Sequence, residues 1–215
     1  MDKTYWTDYY KNNEPPKEPS LFAQAVLSYI LKKRGSSPVT ESLLELGCGN
    51  GRDSIYFARN GIDVTAIDQV DEICQLQDKF VTCKNLSFIQ EDFTDFPRYL
   101  PEKYDYIYSR FTLHSIREEE ANILLKNVHD NLKAGGRFFI EVRSINDDIF
   151  GKGVPVNGEK NAFIYNDHYR RFIHAPELRE NLESKGFNVI YSEESRDFAP
   201  YKAERPMIIR MAATR

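Results

Sequence analysis

Three alternating glycines directly after a short apolar run constrain the fold of this chain more than any other feature. The run covers residues 42–46, and Gly47, Gly49 and Gly51 follow before a helical stretch that begins at Arg52. Glycine in such a turn allows positive φ and lets a ligand approach the backbone closely. The helix directs its free N–H groups and the positive end of its dipole at the same point. The pattern therefore predicts a strand–turn–helix unit that binds a small polar cofactor.

The spacing of the glycines and the residue before them indicate which cofactor this is. A dinucleotide site needs a glycine at the position of Arg52, where it would pack the helix against the strand. Glu45 would repel a pyrophosphate, whereas its carboxylate suits a cationic amino group. S-adenosylmethionine carries an ammonium and a sulfonium, so the motif favours it over NAD.

With this motif the chain resembles the class I S-adenosylmethionine-dependent methyltransferases, whose first motif is an acidic residue followed by G-x-G-x-G. Residues 45–54 are similar in particular to the tellurite-resistance and thiopurine type of small-molecule methyltransferase, and this narrower likeness covers only the one motif. The resemblance implies an α/β, Rossmann-like doubly wound sheet of seven strands. We expect cofactor contacts from Glu45, Gly47, Cys48, Gly49, Asn50, Gly51 and Asp53.

The second predicted strand also ends in a carboxylate. Residues 62–68 alternate in the manner of a strand and end at Asp68, with Gln69 beside it. A carboxylate at this position can accept both ribose hydroxyls of a nucleoside, so Asp68 and Gln69 are predicted cofactor contacts. This feature fits NAD as well as S-adenosylmethionine.

Two further strand ends carry residues whose roles follow from the resemblance. A third strand over residues 86–90 is followed by Asp92 and Phe93. The resemblance implies that Asp92 meets the adenine amino group and that Phe93 lies against the ring. It also implies that the end of the fourth strand, Ser109, Arg110 and Phe111, lies beside the transferred methyl group.

Length and composition predict a single domain. With 41% hydrophobic residues, a chain of 215 residues can bury one sizeable core. Strands alternating with helices predict a mostly parallel sheet, and a tight final strand pair predicts one antiparallel strand near the C-terminus. We divide residues 1–215 into an N-terminal arm or lid (1–19), a cofactor-binding core (20–142), an acceptor-side connection (143–174), and a C-terminal helix and strand pair (175–215).

Two helices are predicted from capping residues and from the spacing of apolar residues. Ser20 is a predicted N-cap of a helix that Gly35 stops, and residues 117–133 carry apolar residues at helical spacing. Residues 144–174 show little periodicity, and connections of that length are usually functional or disordered.

Charge and composition argue against several classes of partner. There are 29 Lys and Arg against 33 Asp and Glu, so the chain lacks the basic field expected of a nucleic-acid-binding protein. No apolar run approaches the ~20 residues needed to span a bilayer, and the N-terminus lacks the apolar core of a secretory signal. Three cysteines fit neither a disulfide framework nor a zinc spacing. We expect a cytoplasmic protein without a metal, and the oligomeric state stays open.

Histidines are the candidate general bases, because a hydroxyl or ammonium acceptor must lose a proton during methyl transfer. His114 lies just beyond the fourth strand, and His168 lies in a polar and aromatic cluster of the long connection. Both are predicted catalytic residues, and the other interpretation is a buried histidine satisfied by backbone groups. His129 is expected on a helix surface, and His174 at a helix cap or in solvent.

Basic residues collect in the segments expected at the carboxyl edge of the sheet. Arginine is suited to two-pronged binding of phosphate or carboxylate, which predicts an anionic acceptor such as a phosphorylated metabolite, a sugar acid or a nucleotide-linked sugar. The predicted substrate-binding residues are Arg143, Tyr169, Arg170, Arg171, Tyr201 and Lys202, and Arg196 and Arg205 lie in the same segments. The alternative is that these bases are ion-paired anchors of loops.

Aromatic residues in the N-terminal arm predict a lid. Tyr5, Trp6, Tyr9 and Tyr10 can cover apolar surface, and Tyr10 is the predicted contact to the cofactor's carboxylate. A packed or frayed N-terminus is the alternative.

The sequence therefore predicts a methyltransferase that moves a methyl group from S-adenosylmethionine to oxygen or nitrogen of a small, anionic metabolite or sugar derivative by in-line displacement. A methyltransferase of protein or RNA is the alternative, although Ser109 to Thr112 stand where amide- and base-methylating enzymes carry Asn-Pro-Pro-Tyr. A nicotinamide oxidoreductase and a non-catalytic cofactor-binding module are further alternatives. The identity of the acceptor stays open.

Overall fold

A computed structural model describes residues 3–36, 38–98, 100 and 103–215, so Met1 and Asp2 of the predicted arm lie outside the described residues. The strands are β1 (Ser42–Leu46), β2 (Asp63–Asp68), β3 (Leu86–Gln90), β4 (Tyr104–Arg110), β5 (Leu132–Arg143), β6 (Val154–Pro155), β7 (Ala162–Tyr165), β8 (His168–Arg171), β9 (Asn188–Ser195) and β10 (Ile208–Thr214). The helices are α1 (Lys3–Asn12), α2 (Leu21–Arg34), α3 (Arg52–Arg59), α4 (Glu72–Phe80), α5 (Glu118–Asn131) and α6 (Ala175–Ser184), and a 3₁₀ helix covers Phe93–Arg98.

Seven strands form one sheet in the order β3-β2-β1-β4-β5-β10-β9. Neighbouring strands from β3 to β5 are parallel, and β10 runs antiparallel to both β5 and β9. The predicted seven-stranded, mostly parallel sheet with one antiparallel strand is therefore confirmed. The strand order reverses between β1 and β4, and open α/β sheets bind ligands outside the carboxyl ends of the strands at such a point.

Helices cover both faces of this sheet because its strands are apolar on both sides. One cluster of buried side chains packs around α5 and α6, and the other around α2 and α3. Ser20 caps α2 as predicted, since its Oγ accepts a hydrogen bond from the Ala23 N–H at 3.0 Å. The longest described helices, α2 and α5, have 14 residues each, and no helix in the described ranges is long and apolar enough to cross a membrane.

The long connection over residues 144–174 was expected to be irregular, but it has regular structure. It contains a separate three-stranded sheet in the order β6-β7-β8. Asn166 and Asp167 form the two-residue turn between β7 and β8, with φ of 52° and 55°. Asn and Asp tolerate positive φ, which a two-residue hairpin turn of type I′ requires at both positions. The Asn-Asp dipeptide was therefore a sequence signal for this hairpin. The alternating pattern was not recognised because β7 and β8 have only four residues each.

Candidate functional site

A cavity of about 570 Å³ opens at the carboxyl ends of the central strands. It lies among the glycine turn after β1, helix α1, the ends of β4 and β5, strand β8 and the loop between β9 and β10. Pockets of 300–1,000 Å³ are typical of small-molecule sites. The predicted site residues that line it are Tyr10, Glu45, Gly47, Cys48, Asn50, Asp53, Asp68, Arg110, Arg143, Arg170 and Tyr201.

The glycine turn has the backbone that its sequence predicted. Gly47, Gly49 and Gly51 have φ of 73°, 54° and 71°, all in the left-handed region. A Cβ built on Gly47 would overlap Thr112, and one built on Gly49 would overlap the hydroxyl oxygen of Tyr10. The turn therefore requires glycine both for its conformation and for the close approach of neighbouring groups.

Glu45 is a buried carboxyl group in the cavity wall. It accepts a hydrogen bond from the Oγ of Ser54 on α3. Burial, and then the charge of Asp53, raise the pKa of Glu45 well above its ordinary value. Asp53 lies beside it and accepts hydrogen bonds from the Ser20 N–H, at 2.7 Å, and from the Tyr108 hydroxyl, at 2.9 Å. Two acidic groups thus share one buried region, which favours a cationic ligand there.

Asp68 connects the end of β2 to the glycine turn. Its Oδ2 accepts a hydrogen bond from the Gly49 N–H at 2.8 Å, and its Oδ1 accepts one from the Val70 N–H at 3.3 Å. Burial raises the pKa of Asp68, and these backbone hydrogen bonds oppose the shift. The neighbouring Gln69 has a buried Nε2 with no hydrogen-bond partner among the described residues. Asp68 lines the cavity and can serve a polar ligand there, whereas Gln69 lies outside the lining.

Asp92 and Phe93 lie beside the cavity and outside its lining. The Asp92 carboxylate accepts hydrogen bonds from the backbone N–H and the hydroxyl of Thr94, at 2.9 and 2.8 Å, and so begins the 3₁₀ helix. Phe93 is fully buried in the core next to Gly47. The structure does not bring these two predicted cofactor contacts to the cavity surface.

The two predicted site residues at the end of β4 lie in different places, Ser109 in the core and Arg110 at the cavity. Ser109 is buried and hydrogen-bonds with Thr112. Arg110 lines the cavity and forms an ion pair with Glu141 of β5, with Nε and Oε1 2.8 Å apart. The same carboxylate binds Arg210 of β10, with Nε and Oε2 2.7 Å apart. Glu141 is completely buried, and the charges of the two arginines compensate it.

Neither predicted catalytic histidine lines the cavity. His114 is buried, and its Nδ1 accepts a hydrogen bond from the Arg143 N–H at 3.1 Å. Burial, followed by the charges of Arg170 and Arg143, lowers the pKa of His114 well below its ordinary value. His168 is buried behind Tyr5, and the two rings stack with centroids 4.0 Å apart. The structure therefore agrees with the alternative that these histidines are satisfied inside the protein.

Two of the predicted substrate-binding arginines meet at the cavity. Arg143 forms an ion pair with the buried Asp147 at 2.9 Å. The Nε of Arg170 is buried and has no hydrogen-bond partner within the described part of the chain. Burial, and then the charge of Arg143, lower the pKa of Arg170 to about 10. Two neighbouring guanidinium groups, one without a full set of partners, favour an anion between them.

The remaining predicted substrate contacts lie elsewhere. Arg171 faces a second, much smaller cavity on the other side of β8 and donates a hydrogen bond to the Leu113 carbonyl at 3.1 Å. The hydroxyl of Tyr169 donates to the Ile116 carbonyl at 3.4 Å. Successive strand residues point to opposite sides, so only Arg170 of this run reaches the main cavity. Lys202 is exposed in the β9–β10 loop, near the ring of Tyr201.

Two other basic residues of the same segments are loop anchors, which is the alternative that the sequence analysis kept open. Arg196 pairs with Asp148 at 2.7 Å, and Arg205 pairs with Asp197 at 2.8 Å. Within the described ranges, no group of three or more His, Cys, Asp or Glu side chains is arranged to hold a metal ion.

The sequence analysis did not single out Glu141 and Phe198. Glu141 carries a signal, because a carboxylate inside an otherwise apolar strand is rarely buried without a partner. Phe198 lines the cavity, as does Phe111, which the family resemblance had placed at the end of the fourth strand. The sequence neighbourhood of Phe198 does not distinguish it from aromatic residues of the core.

The fold and the cavity define an α/β protein that holds a small ligand over a glycine turn at the sheet's switch point. A family model described as a methyltransferase domain matches residues 18–192, which is most of the chain. The chain therefore belongs to this family of methyltransferase domains. The predicted membership in the S-adenosylmethionine-dependent methyltransferases is confirmed, and S-adenosylmethionine is the cofactor of that family. The match decides against the nicotinamide oxidoreductase.

Relatives and solved structures agree with this family. A probable S-adenosyl-L-methionine-dependent methyltransferase of Haemophilus influenzae, TehB, is 27% identical over 107 residues, which are 50% of this chain and 37% of that protein. An uncharacterized methyltransferase of Staphylococcus carnosus is 29% identical over 98 residues, or 46% of this chain and 45% of that protein. The matched region thus spans less than half the length of each of these relatives.

Two crystal structures show the same fold over nearly the whole chain. The 1,6-didemethyltoxoflavin-N1-methyltransferase of Burkholderia thailandensis, with bound 1,6-didemethyltoxoflavin and S-adenosylhomocysteine, has a TM-score of 0.71 at 20% identity, covering 99% of this chain and 85% of its own. The CcbJ methyltransferase of Streptomyces caelestis has a TM-score of 0.69 at 16% identity, covering 100% of this chain and 99% of its own.

The raised pKa of Glu45 yields a prediction about stability. A carboxyl group whose pKa is higher in the folded than in the unfolded protein contributes stability below its unfolded pKa, and this contribution is lost as the pH rises through the folded pKa. Glu45→Gln removes the ionisation, so the ligand-free variant should unfold at a higher temperature than the wild type at neutral pH. The difference should shrink as the pH falls towards about 4.5, the ordinary pKa of this group, and level off below it.

Thermal unfolding of the ligand-free protein across this pH range measures the effect. Glu180→Gln is the control, because Glu180 is exposed on α6 and lies outside the cavity. A Glu45→Gln variant that is less stable than the wild type at every pH would contradict the assignment of Glu45 as a strained buried acid.

Proposed function

We propose that this protein transfers a methyl group from S-adenosylmethionine to oxygen or nitrogen of a small, anionic acceptor. The observation that carries the proposal is the division of charge within one cavity. Its wall carries the buried carboxyl groups of Glu45 and Asp68 at the glycine turn, and Arg143 and Arg170 near the end of β5. Arg52 and Arg110 also line the first region, and Glu204 lines the second. Arg143 ends β5, two strands along the sheet from β1, which is a separation of about 10 Å at the usual strand spacing.

The acidic end fits the cofactor. The raised pKa of Glu45 reflects a buried acid beside another acid, and an ammonium or sulfonium would offset that repulsion. Asp68 lines this end of the cavity and offers an acceptor for the nucleoside hydroxyls. The glycine turn leaves room for a ligand against its backbone. Tyr10, which touches Gly49, would have to adjust to a ligand placed there.

The basic end fits the acceptor. Arg143 is held by Asp147, so its guanidinium has a fixed orientation, while the buried Nε of Arg170 lacks a partner among the described residues. A phosphate or carboxylate would relieve the repulsion between the two guanidinium groups and supply the missing hydrogen bond. Sugar acids, phosphorylated metabolites and nucleotide-linked sugars carry such groups.

Methyl transfer requires the protein mainly to position the acceptor in line with the methyl group. When bound, S-adenosylmethionine supplies a methyl group on a sulfonium, which is already activated towards in-line attack. No histidine lines the cavity among the described residues. In this proposal the chain accelerates the reaction by aligning the acceptor and excluding water. His114 and His168 support the wall from behind. The attacking oxygen or nitrogen binds in its deprotonated form, having given its proton to water before the cavity closes.

Helix α1 acts as a lid in this proposal. Tyr5, Trp6, Tyr9 and Tyr10 all line the cavity, so the aromatic face of the helix forms one wall. Tyr5 stacks on His168 of β8, and Tyr10 rests on Gly49, so the helix touches both ends of the cavity. Closure of such a lid would exclude water from the reaction.

A cytoplasmic location is also part of the proposal. Cys48 and Cys83 are free thiols. Free thiols fit a reducing compartment, where disulfides are rare.

The proposal is tested first with ligands. Calorimetric titration with S-adenosylmethionine should show binding, and titration with NAD should not. Release of S-adenosylhomocysteine should then be measured with phosphorylated metabolites, sugar acids and nucleotide-linked sugars, each beside a neutral counterpart. Faster turnover of the neutral counterparts would contradict the anionic acceptor, and absent binding of S-adenosylmethionine would contradict the whole proposal.

Adjacent arginines provide a matched test of the acceptor end. Arg170→Gln should raise the KM of an anionic acceptor by about ten- to a hundredfold, the range expected from the loss of a hydrogen bond between charged groups. The KM of S-adenosylmethionine should stay nearly constant. Arg171→Gln is the control, because its side chain lies on the other side of β8. Equal effects of the two variants on acceptor KM would contradict the assignment of Arg170.

The chain's single tryptophan, Trp6, reports on the lid. Binding of S-adenosylmethionine should change the emission of Trp6, because this residue lines the cavity. Deletion of residues 1–14 should weaken cofactor binding by about tenfold and lower turnover, because the cavity loses one wall. Lys11→Ala, an exposed position of α1, should leave both unchanged. Unchanged affinity and turnover after the deletion would rule out the lid.

A further inference from the structure

Phe111 has an unusual backbone for a bulky residue. It follows the last residue of β4, lines the cavity, and has a φ of 61°, in the left-handed region. This conformation costs energy for a residue with a large side chain, and such residues cluster at binding and catalytic sites. The Phe111 N–H donates to the Glu141 carbonyl at 2.8 Å, which holds the strained residue in place.

The ring of Phe111 is backed by a positive charge. The guanidinium of Arg110 lies 4.2 Å from the centre of that ring. Phe198, in the loop between β9 and β10, is backed in the same way by Arg210, at 4.3 Å. Both guanidinium groups are held by the one buried carboxylate of Glu141, at 2.8 and 2.7 Å. A single buried network therefore positions two aromatic rings of the cavity wall.

We propose that the acceptor carries a flat, electron-rich ring in addition to its anionic group, and that Phe111 and Phe198 are specificity-determining residues that contact this ring. The inference rests on the proposed function, since it concerns the acceptor in the same cavity.

The argument is electrostatic. A cation on one face of an aromatic ring draws π-electron density towards itself, so the rest of the ring becomes less negative. Such a ring repels an electron-rich or anionic π system less than an unbacked phenyl ring does, and stacking improves. A saturated ring gains only apolar contact from the same surface. Because Arg143 and Arg170 lie in the same wall, the anionic group and the ring of one molecule can be bound together.

The test compares two carboxylates of similar size that differ in the ring. Benzoate and cyclohexanecarboxylate are titrated into the full-length protein saturated with S-adenosylhomocysteine, and their dissociation constants are measured by saturation-transfer NMR. Benzoate should bind about two- to tenfold more tightly than cyclohexanecarboxylate, the range expected for aromatic stacking beyond apolar contact.

Variants assign the preference to the two rings. Phe111→Leu and Phe198→Leu keep apolar side chains, and each should reduce the preference for benzoate. Phe150→Leu is the control, since Phe150 is an exposed residue outside the cavity, and it should keep the preference. If Phe111→Leu does not fold, Phe111→Gly replaces it, because glycine removes the ring and accepts the positive φ without strain.

The outcomes separate this inference from the proposed function. Equal binding of the two carboxylates, or a preference that survives both Leu variants, would overturn the aromatic acceptor. The proposed function would stand in that case if S-adenosylhomocysteine binds and Arg170→Gln weakens both carboxylates. Failure of S-adenosylhomocysteine to bind would overturn the proposed function and this inference with it.

Discussion

The hydrogen bond from the Gly49 N–H to the Asp68 carboxylate, at 2.8 Å, connects the turn after β1 to the end of β2. The Gly47 and Cys48 N–H groups both donate to the Ile67 carbonyl, at 2.8 and 3.1 Å, so the turn is fixed to its neighbouring strand at three points. Only a glycine backbone allows this fit, because the turn enters the left-handed region repeatedly. The position of helix α3, which carries Ser54 and Asp53 to Glu45, follows from it. The acidic end of the cavity therefore depends on this one turn.

The two buried glutamates Glu141, on β5, and Glu45, on β1, differ in how their charge is compensated. Glu141 is completely buried and has two arginine partners, so its negative charge is compensated within the protein. Glu45 is also buried, and its pKa is raised well above the ordinary value by burial and then by the charge of Asp53, which Arg110 and Arg52 only partly offset. The first arrangement holds structure in place. The second leaves a demand for positive charge unmet, and such sites are characteristic of ligand binding.

Sequence reasoning predicted the parts of this protein that depend on local pattern. The glycine turn, the carboxylate at Asp68 and the cap at Ser20 each follow from residues close in sequence. The seven-stranded, mostly parallel sheet follows from the family resemblance. It did not predict which side chains of the long connection reach the cavity, because Arg170 and Arg171 are neighbours that a strand sends to opposite sides. Because no strand was predicted within residues 144–174, the alternation of side chains along β8 could not be used. The positive φ of Phe111 was not predicted, since composition does not reveal a backbone angle.

The structure indicates a supporting role for His114 and His168, because both are buried behind residues that line the cavity. The lowered pKa of His114 keeps its ring neutral beside Arg143 and Arg170, so it adds no third positive charge to the region proposed to bind the anionic acceptor. Its Nδ1 instead fixes the Arg143 backbone at 3.1 Å, and the Tyr5–His168 stack fixes α1 against β8. Each histidine thus supports an element that carries a proposed acceptor contact. A proton acceptor placed there would serve the reaction less well than a neutral support, because the two guanidinium groups would disfavour protonation of the imidazole.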